Sequence, residues 1–331
     1  MTTETDDRDG PVDEFGTDDV DPQFDADVAV VGGGPAGCSA GVFTARAGLE
    51  TTIFDRGSSS LRRCACLENY LGFPGGIDVE TFLELAQDHA TDAGCRLRRD
   101  LVESVVALED AGFRLEPQDG DPITARFVIA ATKYDGEYLR GLDSDDAVFV
   151  SETHDGEAVE RFDRDYPDDD GRTPVDGLYV AGPLAGGGDQ AIIAAGHGAT
   201  IARALLEDLR RADGYWGRFA EHYDWRRLLE NRDEEWADSE RWVDLFAADA
   251  PDDREESEVR RLAEAYADER DAAYLDDETA STRAERGQRR LARALDDEIL
   301  LEAVDEDAIL ERATTLERTG TPADDAGGVD D

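Results

Sequence analysis

The chain is short of positive charge, and almost none of that charge comes from lysine. Among 331 residues, 34 are lysine or arginine and 81 are aspartate or glutamate, so the formal net charge is −47. Lys133 is the only lysine, and there is a single methionine. A surface this acidic repels the phosphates of nucleic acids and of anionic membranes, so we expect neither as a partner.

Long apolar runs and a leader sequence are also missing. No run approaches the roughly 18 apolar residues of a membrane-spanning helix. The first residues lack the positive charge and apolar core of a signal peptide, and four cysteines are too few for a disulfide scaffold. These features predict a cytoplasmic protein.

An acidic chain so poor in lysine and methionine is typical of proteins from salt-loving archaea. Molar salt screens self-repulsion to within about 3 Å. The alternative explanation is a GC-rich codon bias combined with acidic tails.

Composition divides the chain into four parts. Residues 1–24 and 318–331 are acidic with few apolar anchors and are predicted to be disordered tails. Residues 25–212 carry alternating strand and helix signals, whereas 213–317 have lost the strand signals and are predicted to be helical. All four tryptophans lie in this last region, where we expect them to dock helices onto the first domain rather than to bind a cofactor.

The domain at 25–212 reads as an α/β fold. The pattern predicts strands at 26–31, 51–55 and 177–181, helices at 35–47, 80–93 and 189–211, and a meander of short strands near 101–108, 112–116 and 123–131. Residues 141–172 are rich in Asp and Gly and are predicted to be a loop or a short excursion.

The strongest motif is Gly32-Gly-Gly-Pro-Ala-Gly37, which follows a predicted strand and opens a predicted helix. Gly32 permits a tight turn, Gly34 lets the backbone approach a pyrophosphate, and Gly37 allows close helix–strand packing. Asp55 ends the next strand, 23 residues after Gly32, where it would accept hydrogen bonds from ribose hydroxyls. This arrangement indicates a dinucleotide site at a helix N-terminus.

A second glycine-rich segment agrees with the first. Gly177–Gly182 reads as a strand that runs into a glycine loop, and a helix then begins near Asp189 to Ala191. The N-terminus of that helix could stabilise negative charge on a reduced flavin.

At 26–140 and 173–211 the chain resembles the FAD domain of thioredoxin reductase-like flavoproteins, within the pyridine nucleotide–disulfide oxidoreductases. The resemblance rests on the glycine motif, on Glu68-Asn-Tyr-Leu-Gly-Phe-Pro-Gly-Gly76, on Val128–Thr132 and on the closing segment Gly177–Gly196. It implies FAD as the cofactor and a three-layer, Rossmann-like FAD-binding domain with a β-meander excursion, followed by an α-helical C-terminal region. The expected cofactor-binding residues are Gly32, Gly34, Pro35, Ala36, Gly37, Asp55, Arg56, Asn69, Thr132, Lys133, Gly182, Pro183, Asp189, Gln190 and Ala191.

The chain also departs from this family. Members insert an NAD(P)H-binding domain of about 100 residues, which carries a redox-active C-x-x-C, between the two halves of the FAD domain. Here 40 residues separate Thr132 from Thr173, and neither a second G-x-G-x-x-G nor a C-x-x-C occurs. A self-contained thioredoxin reductase is therefore not expected.

Two substitutions fall within the shared motifs. Pro183 stands where the family has the aspartate that holds the ribityl chain, which predicts a more loosely held FAD. Lys133 stands where the family has glycine. Its cation could offset phosphate or reduced-flavin charge, or it could be an ordinary solvated lysine.

Cys64 and Cys66 precede Glu68 and Asn69, in a loop that lies against the flavin in the family. They are the candidate catalytic residues, as a dithiol that exchanges electrons with FAD, although two small packed residues are the alternative. Cys38 and Cys95 are expected to be buried packing residues, and no metal site is expected.

The leading function is an FAD-dependent oxidoreductase that takes electrons from a partner protein or a diffusible reductant. The alternatives are a non-catalytic FAD-binding sensor or assembly module, and the flavin subunit of a split disulfide reductase. A homodimer is left open.

Overall fold

A computed structural model describes residues 24–134, 136–154, 157–233 and 236–319. The two predicted tails lie outside these residues, except for Phe24 and for 318–319, which close the last helix. None of the described helices is both long and apolar enough to cross a membrane.

A seven-stranded sheet forms the centre of the first part of the chain. Five of its strands are parallel and follow the spatial order β5-β2-β1-β8-β11, which is the strand order of a Rossmann-like fold. These five strands are β1 (Ala26–Val31), β2 (Thr51–Phe54), β5 (Arg96–Arg98), β8 (Ile123–Ala130) and β11 (Leu178–Val180); two short strands, β3 (Cys66–Leu67) and β4 (Ile77–Asp78), pair with each other outside this sheet.

The long strand β8 pairs with two different strands, β7 and β11, along one of its edges. Its first residues pair antiparallel with β7 (Phe113–Pro117), which pairs in turn with β6 (Val102–Ala107). Its last three residues pair parallel with β11. The predicted β-meander is therefore confirmed, and it branches from the parallel sheet at β8.

The sheet is covered on both faces, as a three-layer fold requires. Successive side chains of a strand point to opposite faces. Val28 and Val30 accordingly join a core with helices α1 (Pro35–Arg46), α2 (Val79–Asp92) and α4 (Ala191–Ala212), whereas Ala29 and Val31 join a second core with the meander.

Small residues let α1 and α4 pack closely. A Cβ on Gly198 would lie 2.1 Å from the carbonyl oxygen of Ala36, so only glycine fits at this crossing. The Ala- and Gly-rich composition of both helices is thus explained by their mutual contact.

Two predictions from sequence missed short strands. Residues 141–172 contain the helix α3 (Asp145–Val148) and an antiparallel hairpin of β9 (Phe149–His154) and β10 (Glu157–Phe162). The two ends of the hairpin, Phe149 and Phe162, are buried in the second core. Most residues between them are polar or charged, so the sequence lacks the alternation of apolar and polar residues that would predict a strand. After α4, β12 (Arg227–Leu228) pairs with β13 (Tyr274–Leu275), and two residues are too short to leave a pattern.

The chain after α4 packs around aromatic residues. The helices α5 (Ser239–Ala248) and α6 (Glu256–Ala272) enclose Phe219, Phe246 and Tyr266, with Trp216 and Trp242 packed against them. The side chain of Arg210, at the end of α4, is fully buried, donates to the carbonyl oxygen of Phe219 and pairs with Glu269 of α6. These helices therefore dock on the end of α4.

The chain divides into two compact units, at Asp277 and Glu278. The described part of the second unit consists of α7 (Asp277–Arg293) without its first residue, α8 (Asp297–Ala303) and α9 (Glu306–Thr319). The domain boundary expected from composition, at 212–213, stays a prediction.

Candidate functional site

The glycine turn between β1 and α1 has the geometry that its motif demands. Gly32 has a φ of +123°, and a Cβ there would lie 2.6 Å from the carbonyl oxygen of Ala131. A Cβ on Gly37 would lie 1.8 Å from the carbonyl oxygen of Gly32. Both positions require glycine for the protein's own packing, before any ligand is considered.

Gly34 is different, because its Cβ position meets no atom within 4 Å. Gly34 precedes Pro35 as the N-cap of α1, and no side chain caps this helix end. The first N–H groups of a helix lack intrahelical acceptors and attract anions. The open space beside Gly34 is therefore suited to a phosphate.

This open space belongs to a cavity of about 440 Å³, in the size range of small-molecule sites. The cavity lies at the carboxyl ends of β1, β2, β8 and β11, where ligands of such sheets bind. Eleven of the expected cofactor residues line it, namely Gly32, Gly34, Pro35, Ala36, Asp55, Arg56, Thr132, Lys133, Pro183, Asp189 and Ala191.

The other four expected residues lie around the cavity without lining it. Gly37 packs against the carbonyl oxygen of Gly32. Asn69 donates to Oε1 of Gln190 at 2.7 Å. The backbone N–H of Gly182 donates to Nδ1 of His197 at 2.8 Å, which ties the loop after β11 to α4. Burial lowers the pKa of His197, which favours the neutral ring that can accept this bond.

Asp55 is held in a nearly buried network at one end of the cavity. Its Oδ1 accepts from the N–H of Gly57 at 3.0 Å. Its Oδ2 accepts from Nε2 of Gln87 at 2.8 Å and from Nη1 of Arg99 at 3.0 Å. Gln87 also donates to the carbonyl oxygen of Gly33 at 3.1 Å, so one side chain joins Asp55 to the glycine turn.

Lys133 and Asp189 meet at another part of the cavity wall. The Nζ of Lys133 lies 3.3 Å from Oδ1 of Asp189 and 4.9 Å from the ring centroid of Tyr134. Hydrogen bonding to Tyr134 and the contact with Asp189 raise the pKa of Lys133, so the side chain is an ammonium. Nearby, the hydroxyls of Thr132 and Tyr138 are 3.1 Å apart.

Cys64 and Cys66 are exposed free thiols and do not line the cavity. Cys66 lies on β3, and Arg62 and Arg63, just before Cys64, do line the cavity. Cys38 and Cys95 are buried as expected, and burial raises the pKa of each to about 12. Across the described residues, no three His, Cys, Asp or Glu side chains are grouped to hold a metal ion.

Sequence reasoning missed several residues of this site. Gln87 and Arg99 come from α2 and from the residue after β5, and His197 lies inside α4; no motif marks any of them. The loop after Asp55 could have been found, because Ser58–Arg63 combines hydroxyls with arginines directly after the acidic strand end.

The sheet order, the glycine turn and Asp55 together define a dinucleotide-binding protein of the Rossmann-like class. Residues 27–82 match the family described as Glucose inhibited division protein A. The bifunctional thioredoxin reductase/thioredoxin of Mycobacterium leprae is 34% identical over 116 residues, which is 34% of this chain and 25% of that protein. The thioredoxin reductase of Aquifex aeolicus is 35% identical over 78 residues, which is 23% of this chain and 24% of that protein.

The chain thus spans about a quarter of the length of the curated relatives it matches. Among solved structures, a thioredoxin reductase from Gloeobacter violaceus aligns with a TM-score of 0.47 at 20% identity, over 62% of this chain and 98% of that chain. The curated relatives that match are thioredoxin reductases, so parts of this chain are similar in sequence to those proteins.

The geometry of this site fits FAD, the cofactor that the resemblance implies. The cavity, the open space beside Gly34 and the uncapped start of α1 suit a pyrophosphate flanked by two larger groups. When bound, FAD supplies the capacity to accept and release two electrons.

Proposed function

We propose that the chain is an FAD-dependent oxidoreductase in which the adenosine end of FAD lies at Asp55 and the flavin end lies between Lys133 and the start of α4. The observation that carries this proposal is the open space beside Gly34, in a glycine turn whose residues Gly32 and Gly37 are required by packing. The protein's own contribution is to bind the pyrophosphate at α1 and to orient the two ends.

The electrons are proposed to come from a separate donor, either a partner protein or a diffusible reductant. Between β8 and β11, where the family inserts a nicotinamide domain, the described residues hold α3 and the β9–β10 hairpin. A dinucleotide domain needs on the order of 100 residues, far more than the 40 between Thr132 and Thr173.

Cys64 and Cys66 are the proposed exit for the electrons, as a dithiol that reduces a disulfide of another molecule. Both thiols are exposed, and they follow cavity-lining residues of the same loop. In this exchange one thiolate attacks the acceptor disulfide to form a mixed disulfide, and the second thiolate attacks that mixed disulfide and releases the reduced acceptor. The two cysteines are left as a disulfide, which two electrons from reduced FAD would convert back to the dithiol. This exposure also supports the second candidate, the flavin subunit of a split disulfide reductase.

The first test is cofactor content. Purified full-length protein, incubated with FAD in 1 M KCl and desalted into the same buffer, should be yellow and should release FAD on denaturation. A colourless protein overturns the proposal.

The second test separates the candidates by stopped-flow absorbance of the bound flavin. Bleaching with NADH or NADPH alone supports a self-sufficient enzyme. Bleaching with dithiothreitol in the wild type, but not in the Cys64→Ser, Cys66→Ser double variant, supports the dithiol route and the split system. Equal bleaching of both proteins by dithiothreitol would remove the two cysteines from the mechanism.

A further inference from the structure

The only lysine of the chain lies in the wall of the cofactor cavity. The side chain of Lys133 retains 26% of its exposure, whereas that of its partner Asp189 retains 62%. The ammonium is therefore the more enclosed member of the pair, and the carboxylate is the member that water screens.

The pairing contributes little to folding. An ion pair with one mostly exposed partner adds little to the stability of a protein. A lysine that served stability alone would gain little from this position, so the ammonium is available for a ligand.

Two positive groups, the Lys133 ammonium and the start of α4, and one carboxylate, that of Asp189, lie at this part of the cavity wall. The ammonium of Lys133 contacts Asp189 and the ring of Tyr134, and the 22-residue helix α4 begins just after Asp189, with Ala191 and Ala194 in the cavity wall. A helix start carries about half a positive charge. The ammonium and the helix start therefore act in the same direction, and the screened carboxylate opposes them in part.

We infer that Lys133 sets the reduction potential of the bound FAD by stabilising its reduced, negatively charged form. This inference rests on the proposed function, because it needs the flavin end of FAD to lie beside Lys133. Reduction adds two electrons and one proton to the neutral oxidised flavin and leaves one negative charge. A cation held nearby favours the product, and Asp189 limits this effect.

The test is the midpoint potential of FAD bound to the full-length protein, measured by dye equilibration with dithionite as reductant. The buffer contains 1 M KCl, so that exposed charges are screened beyond about 3 Å. The variants are Lys133→Met, which removes the charge, Lys133→Arg, which keeps it, and Asp189→Asn, which removes the opposing charge. Arg114→Met is the matched control, because Arg114 is exposed on β7 and pairs with Glu116 away from the cavity wall.

Lys133→Met should lower the equilibrium constant for two-electron reduction at least tenfold, which corresponds to about 30 mV. Asp189→Asn should raise it, and both Lys133→Arg and Arg114→Met should match the wild type. The affinity for FAD, measured by flavin fluorescence, reports binding separately from the potential.

Wild-type potentials in Lys133→Met and Asp189→Asn, with FAD bound, would overturn this inference and leave the proposed function standing. A wild-type protein that takes up no FAD would overturn both. If Lys133→Met loses FAD altogether, Asp189→Asn decides, because an unchanged or lower potential in that variant contradicts the inference.

Discussion

Gly34 and Gly37 lie in the same turn, but substitutions at the two positions should impair different properties, FAD binding at Gly34 and stability at Gly37. Gly34→Val places a side chain in space that the protein leaves open, so we expect the fold to survive and FAD binding to be lost. Gly37→Ala forces a Cβ against the backbone of Gly32, so we expect the fold itself to be damaged. The pair therefore separates a ligand-binding glycine from a packing glycine.

The magnitudes follow from the geometry. A Cβ on Gly37 would lie 1.8 Å from an oxygen, whereas real Cβ contacts exceed 3.0 Å, so α1 must move by about 1.2 Å. Overpacking of this kind costs about 1–3 kcal/mol, and backbone contact places the cost at the upper end, which lowers Tm by about 6–12 °C. Valine at the N-cap position of Gly34 costs about 1 kcal/mol, or about 2–4 °C.

Thermal unfolding without FAD and titration with FAD measure the two effects. Gly34→Val should weaken FAD binding at least 100-fold, equivalent to about 2.7 kcal/mol. Gly196→Ala is the matched control, because Gly196 lies on the exposed side of α4 with nothing within 4 Å of its Cβ position; it should bind FAD normally and gain up to about 1 kcal/mol. Wild-type affinity in Gly34→Val, or wild-type stability in Gly37→Ala, would refute this assignment.

Four further outcomes are expected. Gln87→Leu removes the donor shared by Asp55 and Gly33 and should raise the Kd of FAD about tenfold by fluorescence titration; an unchanged Kd would contradict the positioning role. Arg210→Met should lower the free energy of unfolding by about 3 kcal/mol in urea, while the neighbouring exposed Arg211→Met should not. Burial lowers the pKa of His222 to about 4, so between pH 6.5 and 4 this histidine is protonated in the unfolded chain but not in the folded chain. The free energy of unfolding should therefore fall by about 3 kcal/mol from pH 6.5 to 4, and His222→Gln should reduce this pH dependence. With a net charge of −47, Tm should rise between 0.1 and about 1 M KCl, and a constant Tm would contradict the halophile interpretation.

The sequence predicted the elements that local chemistry determines. A turn that needs glycine at φ +123° and a helix that needs close contact with backbone can be inferred from two residues five positions apart, Gly32 and Gly37. The meander was predictable for the same reason, since alternation and turn residues mark each strand. The β9–β10 hairpin was missed because only its ends, Phe149 and Phe162, are buried in the core.

The contacts that position Asp55 could not be predicted in this way. Gln87 and Arg99 lie 32 and 44 residues from Asp55 in sequence, and each reaches it by a side-chain conformation that no local pattern specifies. A glutamine in an amphipathic helix and an arginine after a strand are common residues in common places. Their role is visible only when α2 and β5 are packed beside β2.

The assembly of the cavity, in contrast, depends on topology rather than on side-chain conformation. Parallel strands that lie side by side bring their carboxyl ends to one edge of the sheet, so the glycine turn, Asp55, Lys133 and Pro183, which follow β1, β2, β8 and β11, meet in one place. A motif at the end of each strand is therefore enough to predict which residues meet. It is not enough to predict which of them contacts the ligand, because Asp55 already accepts three hydrogen bonds from the protein, whereas Gly34 faces only open space. The protein's own hydrogen bonds thus set how much of the Asp55 carboxylate remains for a ribose hydroxyl.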